Sequence, residues 1–152
     1  MTDERKADEN KPKETSMPTP VPFVQPEVKI FWDATAQEKL LLPKCGDCAN
    51  LIWWPRPFCP SCGSLNIDWS TEASGKGTVY SYTVNYRGAG DLPEYREPVP
   101  YVLAYVELAE GPRIMTNIVE CDPGSVKIGQ AVELVFHHTG EGTALPRFRP
   151  AK

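Results

Sequence analysis

The sequence predicts a mainly β protein in which a short helical segment and a small metal-binding module precede a β-barrel. Two C-x2-C cysteine pairs lie close together in the first half of the chain, a spacing typical of a metal knuckle. Beyond residue 75, β-branched and aromatic residues alternate with polar ones in runs separated by Gly, Pro and Asp. Because no helical pattern interrupts these runs, the strands are expected to be antiparallel neighbours.

The composition limits the classes of protein to which the chain can belong. It has 152 residues, 41% of them hydrophobic, which is enough for one core. The net charge of −4 argues against a nucleic-acid binder, which normally uses a basic face to neutralise phosphates. The sequence has no apolar run near the ~20 residues of a membrane span. Because residues 1–22 contain no apolar stretch, we do not expect them to be a secretory leader. We therefore expect a cytoplasmic protein, in which reducing conditions favour metal binding over disulfides.

The N-terminal part of the chain divides into a tail and a helical segment. Residues 1–25 are predicted to be a disordered tail because they are charged, proline-rich and nearly free of large apolar residues. Residues 26–43 form the predicted helical segment, with a helix over 26–40. Pro26 suits a first helical position. Polar residues in the second half leave open either one interrupted helix or two short ones.

The cysteine module occupies residues 44–68, and its ligands would be Cys45, Cys48, Cys59 and Cys62. Each C-x2-C pair places two thiolates on one tight turn, and two facing turns make a tetrahedral four-sulfur site. Such a site fits zinc or a single iron, and zinc is our prediction, one structural ion per chain. With four sulfur ligands the site has no position left for substrate. Disulfides or uncoordinated thiols are the alternative.

The residues around these cysteines carry two further expectations. Gly46 and Gly63 stand where a knuckle backbone needs conformational freedom and close approach to sulfur. Trp53, Trp54 and Phe58 lie between the two cysteine pairs. They either pack over the metal lobe and onto the barrel or form an exposed aromatic ridge for a partner protein, since aromatic residues carry much of the energy of interfaces.

The remaining residues, 69–150, are predicted to form a small barrel of the OB type, because about five short strands follow the knuckle. The predicted strands cover residues 77–87, 100–111, 112–121, 129–139 and 145–150. The connection over 88–100 is long for a hairpin, and loops of this kind are often functional. We therefore expect residues 86–101 to form a contact surface.

Three residues with reactive side chains lie outside the cysteine module. Cys121 is flanked by Glu120 and Asp122, whose carboxylates raise the pKa of a thiol, so it is interpreted as an ordinary cysteine and not a nucleophile. His137 and His138 are consecutive, so on a strand they face opposite sides and cannot form one metal site.

Several stretches, in this order along the chain, resemble one known family. They are the first C-x2-C pair, PRPFCPSCGS at 55–64, GKGTVYSYTV at 75–84, PYVLAYVEL at 100–108 and FRP at 148–150. Over residues 27–150 the chain resembles the zinc-ribbon and OB-fold proteins catalogued as domain of unknown function thirty-five. The resemblance implies an N-terminal helical segment, a rubredoxin-like zinc ribbon with the four paired cysteines as ligands, and a C-terminal OB-fold barrel.

The resemblance also implies a role. Members of the family look like non-catalytic partners of thiolase-superfamily enzymes, which include thiolases, hydroxymethylglutaryl-CoA synthases and sterol-carrier-type thiolases or aldolases. This chain would then not be an enzyme by itself but would bridge catalytic chains and help to bind acyl-CoA esters in a degradative pathway. The implied assembly is a heterotetramer with two copies on a thiolase dimer. It involves neither nucleic acid nor a membrane, and the CoA ester would be shared with the partner.

Contacts to the CoA ester and to the partner are assigned to two groups of residues. Guanidinium groups suit phosphate recognition and tyrosines can stack on adenine. The candidates for CoA binding are Tyr86, Arg87, Arg147 and Arg149. The candidates for the partner interface are Phe31, Trp32, Trp53, Trp54 and Tyr95. Solvated arginines and aromatic residues used only for packing are the alternatives.

Two other functions fit parts of the sequence. The aromatic residues of VYSYTVNY at 79–86 could stack on bases in a nucleic-acid-binding OB module. The CPSCG stretch at 59–63 also occurs in rubredoxin-type knuckles, which would make the chain an iron-containing electron carrier. A steep salt dependence of oligonucleotide binding would favour the first of these, and a red protein would favour the second.

Overall fold

The computed structural model describes residues 17–88, 93–96 and 98–152. It contains one short helical segment, a two-stranded ribbon and a closed five-stranded barrel, in that order along the chain. The predicted mainly β fold, with its N-terminal helical segment, its zinc-ribbon region and its OB-type barrel, is confirmed. None of the described helices combines the length and the apolar composition needed to cross a bilayer.

The helical segment consists of a 3-10 turn, Pro26–Val28, followed directly by helix α1, Lys29–Thr35. It is shorter than the predicted helix over 26–40. At its end the buried hydroxyl of Thr35 donates to the carbonyl of Trp32 (2.7 Å) and accepts the N–H of Ala144 in the barrel (3.1 Å). This side chain therefore joins the end of α1 to the barrel.

The ribbon is held together by very little regular structure. Its strands β1, Lys44–Cys45, and β2, Ile67–Asp68, form an antiparallel pair only two residues long. A separate small core consists of Cys45, Ile52 and Cys59, with Ile67 packed against them. Because this core is so small, the ribbon depends on its cysteines for stability.

The barrel contains the five predicted strands, with small shifts at their ends. They are β3 (Lys76–Asn85), β4 (Tyr101–Leu108), β5 (Arg113–Ile118), β6 (Ala131–His138) and β7 (Ala144–Pro150). The closed order is β3-β4-β5-β7-β6, and only the β5–β7 pair is parallel. Closure leaves the sheet without an edge.

Inward-facing residues that alternate with outward-facing ones along the strands form the barrel core. On β4, Val102, Ala104, Val106 and Leu108 are buried, while the residues between them face outward or are half-buried. A β-bulge between Val79 and Ser81 interrupts the register of β3 with β4. The barrel core continues without a break into the buried side of α1. The helical segment and the barrel therefore share one hydrophobic core.

Two segments bear on the predicted contacts. Residues 17–25, which we call the strap, lie against the folded chain although the sequence predicts a disordered tail there. Met17 is buried and Val24 packs against the core. The rest of the predicted tail, 1–16, lies outside the described residues.

The connection over 88–100 is described only in part. A 3-10 turn spans Pro93–Tyr95, but positions 89–92 and 97 and the side chain of Tyr95 lie outside the described part. The predicted contacts of this connection therefore stay predictions.

Candidate metal centre and contact surfaces

The four paired cysteines bring their sulfur atoms together at one point. All four Sγ atoms lie within 4.8 Å of one another. The Sγ–Sγ distance is 3.6 Å for Cys45 and Cys62 and also 3.6 Å for Cys48 and Cys59. Four thiolates at a Zn–S distance of about 2.3 Å, arranged tetrahedrally, would be about 3.8 Å apart. Two of the six Sγ–Sγ distances are therefore close to the spacing of a tetrahedral four-sulfur site, and the other pairs lie within 4.8 Å.

The two C-x2-C turns are built in the same way. The N–H of Ala49 donates to the carbonyl of Cys45 (2.9 Å), and the N–H of Gly63 donates to the carbonyl of Cys59 (2.9 Å). The residue after each pair has a positive φ, 60° at Ala49 and 75° at Gly63. Glycine at the second position meets this requirement without strain, whereas alanine at the first is strained.

The side chain of Asp47 joins the two turns. It accepts hydrogen bonds from the hydroxyl of Ser64 (2.5 Å) and from the amide of Asn66 (3.1 Å), and these bonds lower its pKa. Gly46 is required for a different reason than Gly63: a Cβ at Gly46 would lie 2.4 Å from the Nδ2 atom of Asn66. Nothing in the sequence pattern indicated the role of Asp47.

The backbone and the neighbouring thiols act in opposite directions on the protonation of the cluster. Burial raises the pKa of the Cys59 thiol, but the N–H groups of Cys62 and Ser61 outweigh it and lower that pKa to about 6. The N–H of Ser64 lowers the pKa of Cys62, yet the adjacent thiols raise it to about 12. Near neutral pH, a bound cation would therefore favour the loss of all four protons.

Exchanging the residue types at the two positive-φ positions should have different effects on stability. Gly63→Ala should lower the free energy of unfolding by about 1 kcal/mol, since an alanine there takes on left-handed strain while its Cβ meets no atom within 4 Å. Ala49→Gly should not destabilise the metal-loaded chain, because relief of strain offsets the added entropy of the unfolded state. Denaturant unfolding of both variants tests this. An equal loss in both would contradict it.

The aromatic residues of α1 and the ribbon form one cluster. The ring centroid of Phe31 lies 5.1 Å from that of Trp32, 5.5 Å from Trp54 and 5.9 Å from Trp53. Phe31 and Trp32 are buried in the shared core, so the prediction that they present a surface to a partner is corrected: α1 turns them inward. Trp53 is half-buried and packs against the same core.

The outer members of this group remain accessible. Trp54 is 45% exposed and Phe58 is 43% exposed. Arg56 donates to the carbonyl of Trp54 (3.1 Å), and its guanidinium carbon lies 5.8 Å from the Phe58 ring centroid. We call Trp54, Arg56 and Phe58 the ribbon ridge. Trp53 therefore packs against the core, as the first interpretation expects, whereas a partner contact at the exposed ridge stays a prediction.

Arg147 does not lie where a ligand could reach it. Only 3% of this residue is exposed. Its Nη1 donates to the carbonyl of Met17 (3.3 Å) and to Nδ1 of His137 (2.8 Å), and its Nη2 donates to the carbonyl of Pro18. The prediction of Arg147 as a CoA ligand is therefore corrected, because the strap already covers its guanidinium.

The other candidates for CoA binding differ in their surroundings. Arg149 forms ion pairs with Glu133 (2.8 Å) and Glu120 (2.9 Å), which neutralise much of its charge. Tyr86 and Arg87 are exposed at the start of the long connection, with Tyr86 73% exposed. The structure does not bring these two residues together with Arg149 through any described contact, so the predicted CoA site stays a prediction.

The remaining reactive side chains serve separate contacts. Burial, followed by the charge of Asp122, raises the pKa of Cys121, in the direction predicted from its neighbours. His138 pairs through Nε2 with Glu38 (3.2 Å), while His137 contacts Arg147. The two consecutive histidines thus face different neighbours, as the alternation of a strand requires.

Known proteins match both parts of the chain. The model for the ChsH2 rubredoxin-like zinc ribbon domain matches residues 32–68, and that for the ChsH2 C-terminal OB-fold domain matches 70–137. A chain of the solved "Ltp2-ChsH2(DUF35) aldolase" is 37% identical with a TM-score of 0.74, over 87% of this chain and 100% of that one.

Two curated relatives extend these matches. A "DUF35 domain-containing scaffold protein" of Methanothermobacter thermautotrophicus is 40% identical over 98 residues, which is 64% of this chain and 71% of that protein. A "probable enoyl-CoA hydratase alpha subunit" of Thermomonospora curvata is 40% identical over 144 residues, 94% of this chain but only 42% of the relative's length. With its ribbon and its barrel both matched, the chain belongs to the DUF35 family of ChsH2-like zinc-ribbon and OB-fold proteins.

Proposed function

We propose that this chain is a non-catalytic accessory subunit of a thiolase- or aldolase-type complex that acts on acyl-CoA esters in a degradative pathway. The observation that carries the proposal is the match to a whole chain of an aldolase whose name joins two components, Ltp2 and ChsH2. The names of the two curated relatives, one a scaffold and one a subunit, support the same role.

The cysteines of the chain support a helper role. A thiolase requires a nucleophilic cysteine with a nearby base and an oxyanion pocket. All five cysteines lie in the described residues, and four of them form the metal cluster. The fifth, Cys121, is partly buried and its pKa is raised, which disfavours the thiolate. The nucleophile of the complex would then come from the partner.

The metal in this proposal is one structural zinc per chain. Four protein thiols complete a tetrahedral shell and leave no position for water or substrate. When bound, the ion would supply folding free energy and no Lewis-acid chemistry. Through Cys45, Cys48, Cys59 and Cys62 it would hold the ribbon ridge in a fixed position beside α1.

We assign the partner contact to the ribbon ridge and the CoA contact to the start of the long connection. Exposed aromatic residues beside an arginine have the composition of interface hot spots. Arg87 offers forked donors for a phosphate and Tyr86 an exposed ring for adenine. A CoA ester shared with the partner would lie between these two surfaces.

Co-purification from the native host with metal analysis tests the function. We expect a thiolase- or aldolase-type partner, a heterotetramer with two copies of this chain on a partner dimer, and about one zinc per chain. Phe58→Ala should weaken the complex about 30-fold, the effect of losing one hot-spot side chain of about 2 kcal/mol. Leu65→Ala is the matched control, because Leu65 is exposed on the ribbon but lies outside the ridge.

Two results would overturn the proposal. A chain that purifies alone and binds oligonucleotides with steep salt dependence would favour the nucleic-acid module, for which the exposed Tyr80 and Tyr105 on the barrel are the supporting observation. A chain with bound iron and visible absorption would instead favour the electron carrier.

A further inference from the structure

The strap contains three prolines and therefore has fewer backbone N–H groups with which to bind the barrel. Pro18, Pro20 and Pro22 have no N–H, so the strap cannot join the barrel through a regular ladder of hydrogen bonds. Its carbonyl groups therefore need donors from elsewhere. The donors that contact its first two described residues, Met17 and Pro18, belong to one side chain of β7, that of Arg147.

The strap takes part in burying Arg147, which also contacts His137 of the barrel. Its neighbour Phe148 fills the barrel core, so Arg147 points to the outer face of β7. On that face it would be solvated unless something covered it. Met17, itself buried, lies over this position and accepts a hydrogen bond from Arg147. The strap thus covers the guanidinium group of Arg147, and that group in turn donates hydrogen bonds to the strap carbonyl groups.

His137 completes this arrangement from the neighbouring strand. Arg147 pairs with Val135 of β6, and His137, two residues further on, lies on the same face. The distance from Nη1 of Arg147 to Nδ1 of His137 is 2.8 Å. A guanidinium can only donate, so Nδ1 must be the acceptor. The ring is therefore neutral, with its proton on Nε2.

Protonation of His137 is incompatible with this contact. A proton on Nδ1 would remove the acceptor and place two cations at hydrogen-bonding distance. Burial and the charge of Arg147 lower the pKa of His137, while Glu120, from the segment after β5, acts in the opposite direction. Because Glu120 also forms an ion pair with Arg149, its charge is less able to raise the pKa of His137.

The direction of the pH dependence follows from these contacts. The neutral ring is favoured in the folded chain, so the stability that its contact with Arg147 gives to the closed strap is fully present above the ordinary histidine pKa of about 6.5. This stability is lost as the pH falls through the lower pKa that His137 has in the folded chain. In that window the equilibrium for opening should rise by up to about tenfold per pH unit.

We infer that His137 and Arg147 form a pH-sensitive clasp that holds the strap closed while His137 is neutral and releases Met17 and Pro18 when it is protonated. Opening would uncover Arg147 and His137 on the outer face of β6 and β7 and would release the carbonyl groups of Met17 and Pro18 from Arg147. The barrel would remain closed, because neither the ladder between β6 and β7 nor the core cluster around Phe148 includes Met17 or Pro18. The clasp requires no partner, so its test is independent of the proposed function.

Methyl NMR on the full, metal-loaded chain tests the clasp. The chain contains three methionines, and 13C-methyl labelling would report separately on buried Met17 and exposed Met115. Between pH 7.5 and 5, we expect the Met17 methyl signal to move to its random-coil position while Met115 stays unchanged. His137→Gln keeps an acceptor but cannot become charged, and should abolish the change. His138→Gln, at the adjacent histidine, should leave it intact.

Three results would overturn the inference. The first is a Met17 signal that titrates equally in His137→Gln and the unaltered chain, or in neither. The second is a change of Met115 together with Met17, because opening would then be global unfolding. The third needs no variant: long-range proton–nitrogen correlations of the His137 ring at pH 7.5 that place the proton on Nδ1.

Discussion

Removing the metal should unfold the ribbon while the barrel stays folded. The ribbon has one pair of two-residue strands and a core of three buried residues, so it buries little apolar surface of its own. Metal binding in small structural zinc sites contributes about 10–16 kcal/mol, far more than this core can supply. The barrel has a separate, closed ladder and a larger core, so it does not require the ion.

Substitution of one ligand gives the matched experiment. Cys59→Ser should lose the metal and the dispersed amide NMR signals of residues 44–68, because Cys59 is a buried member of the cluster. Cys121→Ser should keep both, since Cys121 lies outside the cluster. Metal content and amide spectra are the measurements. A metal-free ribbon with native amide signals would show that the four thiols do not hold the fold together.

Truncating Phe31 should be among the most destabilising changes within the hydrophobic core. The ring is fully buried and contacts Trp32, Trp53 and Trp54, which belong to α1 and the ribbon. Phe31→Ala would leave a cavity where the helix, the ribbon and the barrel core meet, at a cost of about 3–5 kcal/mol. A loss of this size is a large fraction of the total stability of a domain. Urea unfolding followed by tryptophan fluorescence measures it.

The adjacent residue provides the control. Ile30 stands on the same helix but is 46% exposed, so Ile30→Ala should cost less than about 1 kcal/mol. Equal losses in the two variants would mean that Phe31 is not packed in the isolated chain. The original prediction of Phe31 as a partner contact would then regain support.

The metal cluster and the strand pattern are the features that the sequence indicates best. A C-x2-C spacing brings two thiols to one side of a turn wherever that turn occurs, so it can be recognised from residue types alone. The period-two runs predicted all five strands of the barrel for the same reason, since alternation is a local property of extended backbone. Even the opposite orientations of His137 and His138 followed from it.

The contact residues were harder to predict, because their surroundings come from distant parts of the chain. Helical periodicity placed Phe31 and Trp32 on one face, but it could not show that the barrel and the ribbon cover that face. The strap was predicted to be disordered from its composition, which takes no account of a donor elsewhere that satisfies its carbonyl groups.

The sequence by itself therefore determined the ribbon cysteines, the five strands and the family, because all of these depend on spacing along the chain. Only the tertiary structure decided which side chains remain accessible. Arg147 is the clearest case: it meets the carbonyl of Met17 across 130 positions of sequence. The antiparallel pairing of β6 with β7 places His137 beside it, so an arginine suited by type to a phosphate holds the strap instead.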